Sequence, residues 1–453
     1  MAMHRSRLKA GKCPTGFLGA FAAFVTLAVI ALSIPASALS PDDAKCLSCH
    51  QTAGMEKPLA NGEQLSLHIA GDKFGASVHG MFGCAACHSD IDLAKHPGDA
   101  KPIASKRAFS IGRAQVCTTC HTDQATQWSH SVHAALVRDG NPIAPVCTSC
   151  HSPHAVMKGA AQAMETVPCK TCHSDIFGAY ATSVHGMLRA AGITQAPLCF
   201  NCHGAHDIKV PTAGAGLKDT CFGCHKDAVV KHQIWLPNTQ LHFTVISCPA
   251  CHSPTAHRKV DLMLRNSATK EDAARPIGVP EFQGPADGAA GDKGLDPVTL
   301  FNLMQTLNRA GVKNKTSIKG MLDVSSGVEA HKIAAASEAI KNCSTCHQAG
   351  AAAFQSVTIS VAGSGGVPVH YGITKDVLHS AFSIPSIGGF YAMGATRITL
   401  LDVLLVLGLL VGFGIPALHL TIRWLASRPS DKPGSDRPGS EKPGPADQDK
   451  KEG

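Results

Sequence analysis

Residues 117–154 read CTTCHTDQATQWSHSVHAALVRDGNPIAPVCTSCHSPH. Two Cys-x-x-Cys-His motifs bracket the stretch, Cys117-Cys120-His121 and Cys147-Cys150-His151. Besides His130, two more histidines stand among them: His133 after a valine, and His154 three residues past the second motif. The pattern returns 52 residues later with Cys169-Cys172-His173, His185, Cys199-Cys202-His203 and His206. A third copy opens after another 52 residues at Cys221-Cys224-His225. It is degenerate, because His242 and His257 flank Cys248-Cys251-His252 at altered spacing. Asp123, Asp175 and Asp227 hold one equivalent position in the three copies. A fixed period of this kind marks a duplicated unit. Each unit carries two Cys-x-x-Cys-His motifs and two extra histidines.

Outward from these copies lie three further motifs, Cys46-Cys49-His50, Cys84-Cys87-His88 and Cys343-Cys346-His347. The nine motifs use every one of the 19 cysteines except Cys13. A plain disulfide framework would not place a histidine after each second cysteine. Zinc ribbons and redox dithiols have no need of it either. The pattern is that of c-type haem attachment. Two thiols one helical turn apart add across the two vinyl groups, and the adjacent histidine gives its imidazole to the iron. Nine covalently attached haem c groups are therefore expected. His50, His88, His121, His151, His173, His203, His225, His252 and His347 are the expected proximal ligands.

On these motifs the chain resembles the multihaem c-type cytochromes, the broad group that contains class III cytochromes c and periplasmic decahaem carriers. The resemblance covers roughly residues 40–257 and the isolated motif at Cys343. It implies export from the cytoplasm, because haem of this type is attached outside it. It implies a fold that is mostly α with much irregular coil and packed around haem. About 26 residues per haem leave little chain for a protein core, and only 5% of the chain is aromatic.

The sixth iron position decides between electron transfer and substrate binding. Fourteen histidines remain for nine irons once the proximal ones, His4 and His419 are set aside. His79, His133, His154, His185, His206, His242 and His257 are the expected distal ligands, since each lies just before or just after a motif. His68, His96, His130, His232, His331, His370 and His379 compete for the other two irons. Supply exceeds demand, so every iron can take two histidines. The nitrite reductases in the resembled group carry a CxxCK motif, absent here, and hydroxylamine-oxidising relatives use a cross-linked tyrosine. Tyr180, Tyr371 and Tyr391 have no distinguishing context. Some octahaem reductases keep CxxCH at the active haem, so that class stays open.

The rest of the chain frames this array. Arg5, Arg7, Lys9 and Lys12 precede an apolar run from Phe17 to Ile34 and a small-residue site at Ala36-Ser37-Ala38, the layout of a signal peptide over 1–38. An octahaem domain is expected over 39–257 and a linker over 258–295, where Pro, Gly and Ala rise. A small module with the ninth haem follows over 296–396. Its expected elements are a helix from Val298 to Arg309, a second from about Val328 to Lys341, and a strand at Val357–Val361. The apolar run Ile398–Ile422, within 397–425, is long enough to span a bilayer. The basic residues after it place the C-terminus in the cytoplasm. The Lys-Pro-Gly-rich tail, 426–453, is expected to be disordered.

The formal charge is +8, but four basic residues and no acid lie in the first 38, leaving +4. Nine ferric haems at roughly −1 each would bring the mature protein to about −5, so the basic sequence is no argument for nucleic acid. The expected function is electron transfer from the quinol pool, directly or through a cytochrome b partner, to periplasmic redox proteins. The expected location is the bacterial inner membrane, with a single pass and the haem domains in the periplasm. The alternative is a reductase of nitrite, hydroxylamine, tetrathionate or sulfite. Asp402 and His419 are ionisable residues at the ends of the span, His419 a candidate for a quinone site or for a haem of a partner membrane subunit, while His379, Phe382, Phe390 and Tyr391 before the span are candidates for a quinol pocket beside the ninth haem.

Overall fold

The computed structural model describes residues 40–98, 101–158, 163–210, 215–271, 273, 294–310, 315–363, 367–388, 390 and 399–427. The expected signal peptide with Cys13, the tail beyond residue 427, Tyr391 and most of the Pro/Gly-rich stretch lie outside them. The chain divides into two units, residues 1–396 and 397–453. Helix accounts for about 47% of the described residues and strand for 12%, so the fold is mostly α.

From Pro41 to His252 the helices are short, none longer than the 13 residues of Lys106–Thr118. Local capping starts several of them. The Ser131 hydroxyl accepts the Ala134 N–H at 3.1 Å, and the Ser183 hydroxyl accepts the Gly186 N–H at 3.1 Å. These two N-caps satisfy a free helical donor. They also set His133 and His185 at the second position of equivalent helices, Val132–Arg138 and Val184–Ala190. The hairpin of β1 (Glu56–Pro58) and β2 (Gln64–Ser66) is the region's only sheet among the described residues. Large apolar side chains here stay in solvent: Met81 is 77% exposed, Ile143 84% and Ile234 81%.

The continuous apolar core lies further on, in a five-stranded sheet. Its strands are β3 (Arg258–Asn266), β4 (Thr316–Val324), β5 (Val357–Ala362), β6 (Pro368–Gly372) and β7 (Ile387–Gly388), in the order β6-β5-β3-β4-β7. β3 runs antiparallel to β4 with Val260 opposite Leu322 and Leu264 opposite Ile318, and parallel to β5. Alternation divides the faces. Val260, Leu262, Leu264, Val357 and Ile359 are buried with Leu300, Leu303 and Met304 of the Pro297–Leu307 helix. On the other face Asp261 is buried, accepting hydrogen bonds from Thr358 and Ser360, each at 2.9 Å, with His370 Nδ1 at 3.2 Å.

Two sequence expectations need correction here. The stretch expected as a linker over 258–295 begins with β3, the central strand. Its Val-Asp-Leu-Met-Leu alternation is a strand signal that the Pro/Gly-rich composition further along obscured. The second helix, expected to Lys341, stops at Ala330. Beyond it Ala334 N–H bonds to the His252 carbonyl at 2.7 Å and Ile340 N–H to the Cys251 carbonyl at 3.0 Å. Those long-range bonds override the helix propensity of Ala334–Ala339.

In the second unit Thr399–Ala426 is one helix with Pro416 inside it. Its segment Leu400–Ala426, 27 residues, is long and apolar enough to cross a membrane.

Candidate cofactor-binding site

Each Cys-x-x-Cys-His motif closes a single tight turn. The histidine N–H bonds back to the carbonyl of the first cysteine at His88, His121, His151, His173, His225 and His347, at 2.8–3.0 Å.

Every one of the nine motif histidines faces a second imidazole. The pairs are His50–His96 (6.2 Å between ring centres), His79–His121 (6.0 Å), His88–His154 (6.0 Å) and His133–His173 (6.3 Å). They continue with His151–His206 (6.1 Å), His185–His225 (6.2 Å) and His203–His331 (5.9 Å). The last two are His232–His252 and His242–His347, both 6.0 Å. A metal held between two imidazole nitrogens at about 2 Å each sets the ring centres roughly 6 Å apart. Direct ring stacking would be much closer. The planes are 7–32° apart in six pairs and 63–69° apart in His79–His121, His232–His252 and His242–His347.

Ring orientation agrees with such a site. Nδ1 is within hydrogen-bonding range of a backbone carbonyl in His50 (Leu67, 2.9 Å), His203 (Lys209, 2.9 Å), His232 (Ala228, 2.7 Å) and His331 (Gly327, 2.6 Å). Donation from Nδ1 leaves Nε2 as the free ligating nitrogen. Burial, and then the facing ring, lowers the pKa of His133, His185 and His252, favouring the neutral form that binds metal.

Six of the nine pairs join neighbouring two-motif units, counting the Cys46–Cys84 segment as the first, while His50–His96 and His232–His252 form within one unit and His242 faces the isolated ninth motif. His154 and His206 face the second-motif histidines of the preceding unit, His88 and His151. His79, His133 and His185 face the first-motif histidines of the following unit, His121, His173 and His225. Each unit therefore lends one ring backward and one forward. A backbone bond accompanies each backward loan: Val78 N–H to the Val156 carbonyl (2.9 Å) and Val132 N–H to the Ile208 carbonyl (3.0 Å). Val184 N–H bonds in the same way to the Ile333 carbonyl (2.8 Å). His331-Lys332-Ile333 thus occupies the place of His154-Ala155-Val156 and His206-Asp207-Ile208. β3, the Pro297–Leu307 helix and β4 are inserted between the Cys248 motif and the histidine that completes its unit.

Of the seven expected distal histidines, six face a motif histidine and His257 does not. Its ring lies against Glu329, with Nδ1 2.8 Å from Oε1, and its side chain is 87% exposed. His96, His232 and His331 stand in the remaining pairs, where the sequence offered them only among competitors. The sequence signal for His331 was the isoleucine two residues on, matching Val156 and Ile208, which His257 lacks. His68, His130, His370 and His379 face no motif histidine among the described residues.

Consecutive motifs are neighbours. The first thiols meet in pairs, Cys46 with Cys84, Cys117 with Cys147, Cys169 with Cys199 and Cys221 with Cys248. Between pairs Cys87 approaches Cys117, Cys150 approaches Cys169, Cys202 approaches Cys221, and Cys251 approaches Cys346. Each motif therefore lies beside the next one in chain order. No three His, Cys, Asp or Glu side chains converge as a metal cage among the described residues. The residues present would suit haem: each motif offers two thiols for attachment and a histidine with a second imidazole about 6 Å away, and exposed Met81, Ile143 and Ile234 could cover apolar faces.

Comparison with protein-family profiles, with curated proteins and with solved structures finds no match to this chain.

Proposed function

We propose that the protein is a membrane-anchored nonahaem cytochrome c that passes electrons along nine haems in chain order. The observation that carries this reading is the set of nine facing histidine pairs, each with one ring from a Cys-x-x-Cys-His motif. The two cysteines of each motif would hold the haem by thioether bonds. The motif histidine and its facing partner would be the axial ligands. Haem iron with two imidazoles supplies one-electron exchange between the ferric and ferrous states. The polypeptide then fixes the order, spacing and orientation of the carriers and makes or breaks no substrate bond.

The neighbouring cysteines support a single route, from the Cys46 motif to the Cys343 motif. Quinol, directly or through a cytochrome b partner, is the proposed donor, and periplasmic redox proteins the acceptors. The apolar 27-residue helix supports a single-pass anchor. The basic residues after it support a cytoplasmic C-terminus. A reductase of nitrite, hydroxylamine or a sulfur oxyanion would need a motif histidine with no second ring opposite, and each of the nine has one.

Intact mass and ferric EPR test the reading together. The mature protein should carry nine haems that resist acid-acetone extraction, all low-spin. Seven or fewer haems, or a stoichiometric high-spin centre with turnover of nitrite, would overturn it.

A further inference from the structure

We infer that His257, which the repeat pattern marks as an axial ligand, is instead a positioning residue: through Glu329 it holds the turn that presents His331 to His203. The inference rests on the haem reading above and concerns the sixth haem, attached at Cys199 and Cys202.

In the two regular copies the trailing histidine needs no special support, because only three residues separate it from its motif. Here the whole β3–β4 insertion intervenes between His252 and His331. The chain must leave the array, build a sheet and return to the same point. The leaving and returning strands meet at one place, since Arg258 pairs with Val324 at the end of the β3–β4 ladder. His257 stands one residue before β3 and Ser325 one residue after β4. Ser325 N–H bonds to the His257 carbonyl at 2.9 Å.

Past Ser325 the chain makes one helical turn, Gly327–Ala330, ending at His331. A single turn is too short to be stable alone. The Ser326 hydroxyl caps it by accepting Glu329 N–H at 3.3 Å. The Glu329 carboxylate then accepts two bonds from His257, from the backbone N–H at 3.0 Å and from Nδ1 at 2.8 Å. The carboxylate is only 15% exposed. His331 Nδ1 in turn bonds to the Gly327 carbonyl of the same turn at 2.6 Å. The line of contacts runs from His257 through Glu329 to the turn, and from the turn to the His331 ring. Rotation of the turn would therefore carry His331 away from His203.

The test uses the full-length membrane protein in detergent, with covalent haem count, ferric EPR and carbon monoxide binding after reduction. His331→Ala is the reference and should expose one carbon monoxide site with nine haems retained. His257→Ala and Glu329→Ala should keep nine haems and raise the rate of carbon monoxide binding at that site roughly fivefold over wild type, the scale of one surface ion pair. His257→Gln, which keeps a side-chain donor for Glu329, should restore the wild-type rate. If His331→Ala opens a site but His257→Ala, Glu329→Ala and wild type bind at the same rate, the positioning role is refuted. If His331→Ala opens no site, or nine haems are absent from wild type, the underlying ligand assignment fails instead.

Discussion

His154 and His88 belong to different repeat units, yet their rings lie 6.0 Å apart and within 7° of parallel. This pairing defines how the array is held. A histidine carried by one unit completes the site of its neighbour, so no unit is finished by its own residues.

Exchange of ligands between units has a direct mutational consequence. His154→Ala should open the haem attached at Cys84 and Cys87, not the one attached at Cys147 and Cys150. Carbon monoxide binding by the reduced variant should disappear when Cys84 and Cys87 are also replaced. It should persist when Cys147 and Cys150 are replaced. The reverse pattern would show ligation within the unit.

The ring planes divide the nine pairs into six near-parallel and three near-perpendicular. The ferric EPR spectrum should divide in the same six-to-three ratio, with the strongly anisotropic signals belonging to the perpendicular pairs. Replacing His79 should remove one of those three signals and leave the six untouched.

The buried Asp261 and the half-buried Asp323 on the sheet should respond to pH with opposite sign. Burial opposes ionisation of Asp261, but hydrogen bonds from His370 and Thr358 and the charge of His370 outweigh it and lower its pKa. Its stabilising contribution is present above the ordinary Asp range and is lost as pH falls through the lowered value. Burial raises the pKa of Asp323, despite the Ser247 hydroxyl 2.5 Å away. Its contribution is present at acid pH and is lost as pH rises through the raised value. Asp261→Asn should therefore cost more stability at pH 7 than at pH 3, and Asp323→Asn should cost less at pH 7 than at pH 3. Denaturant midpoints at both pH values check the two signs.

The sheet should tolerate little change at its centre. Leu262 is fully buried, and Leu262→Ala should cost about 2–5 kcal/mol. Gly320 meets Phe390 so closely that an added Cβ would stand 2.7 Å from the ring. Gly320→Ala should cost about 1–3 kcal/mol by overpacking. Hydrogen exchange at β3 and β4 amides would report both losses locally.

A chain ending at Thr396 lacks the apolar helix. It should be recovered in the soluble fraction with its haems attached and should lose reduction by membrane quinol. Undiminished reduction by quinol would limit the helix to tethering.

The tight motif turns and the repeat were legible in the sequence because both depend on local spacing. A thiol pair one turn apart, with a histidine next to it, has its geometry set within five residues. The Ser-Val-His caps likewise act within one turn. The bilayer-length helix is legible for the same reason, since its length and apolarity are read residue by residue. What faces each motif histidine was a different matter. His257 lies five residues from His252 and His331 lies far beyond it, yet His331 takes the repeat's place. The cause is that the β3–β4 ladder returns the chain to its point of departure. Of the sheet only β5 was expected from its alternation, because β3 sits beside Pro/Gly-rich sequence and pairs with strands distant in the chain. Spacing along the chain settles where the motif turns and their histidines lie in the sequence. Which imidazole faces each motif histidine depends on long-range backbone pairing, and only the tertiary structure decides that.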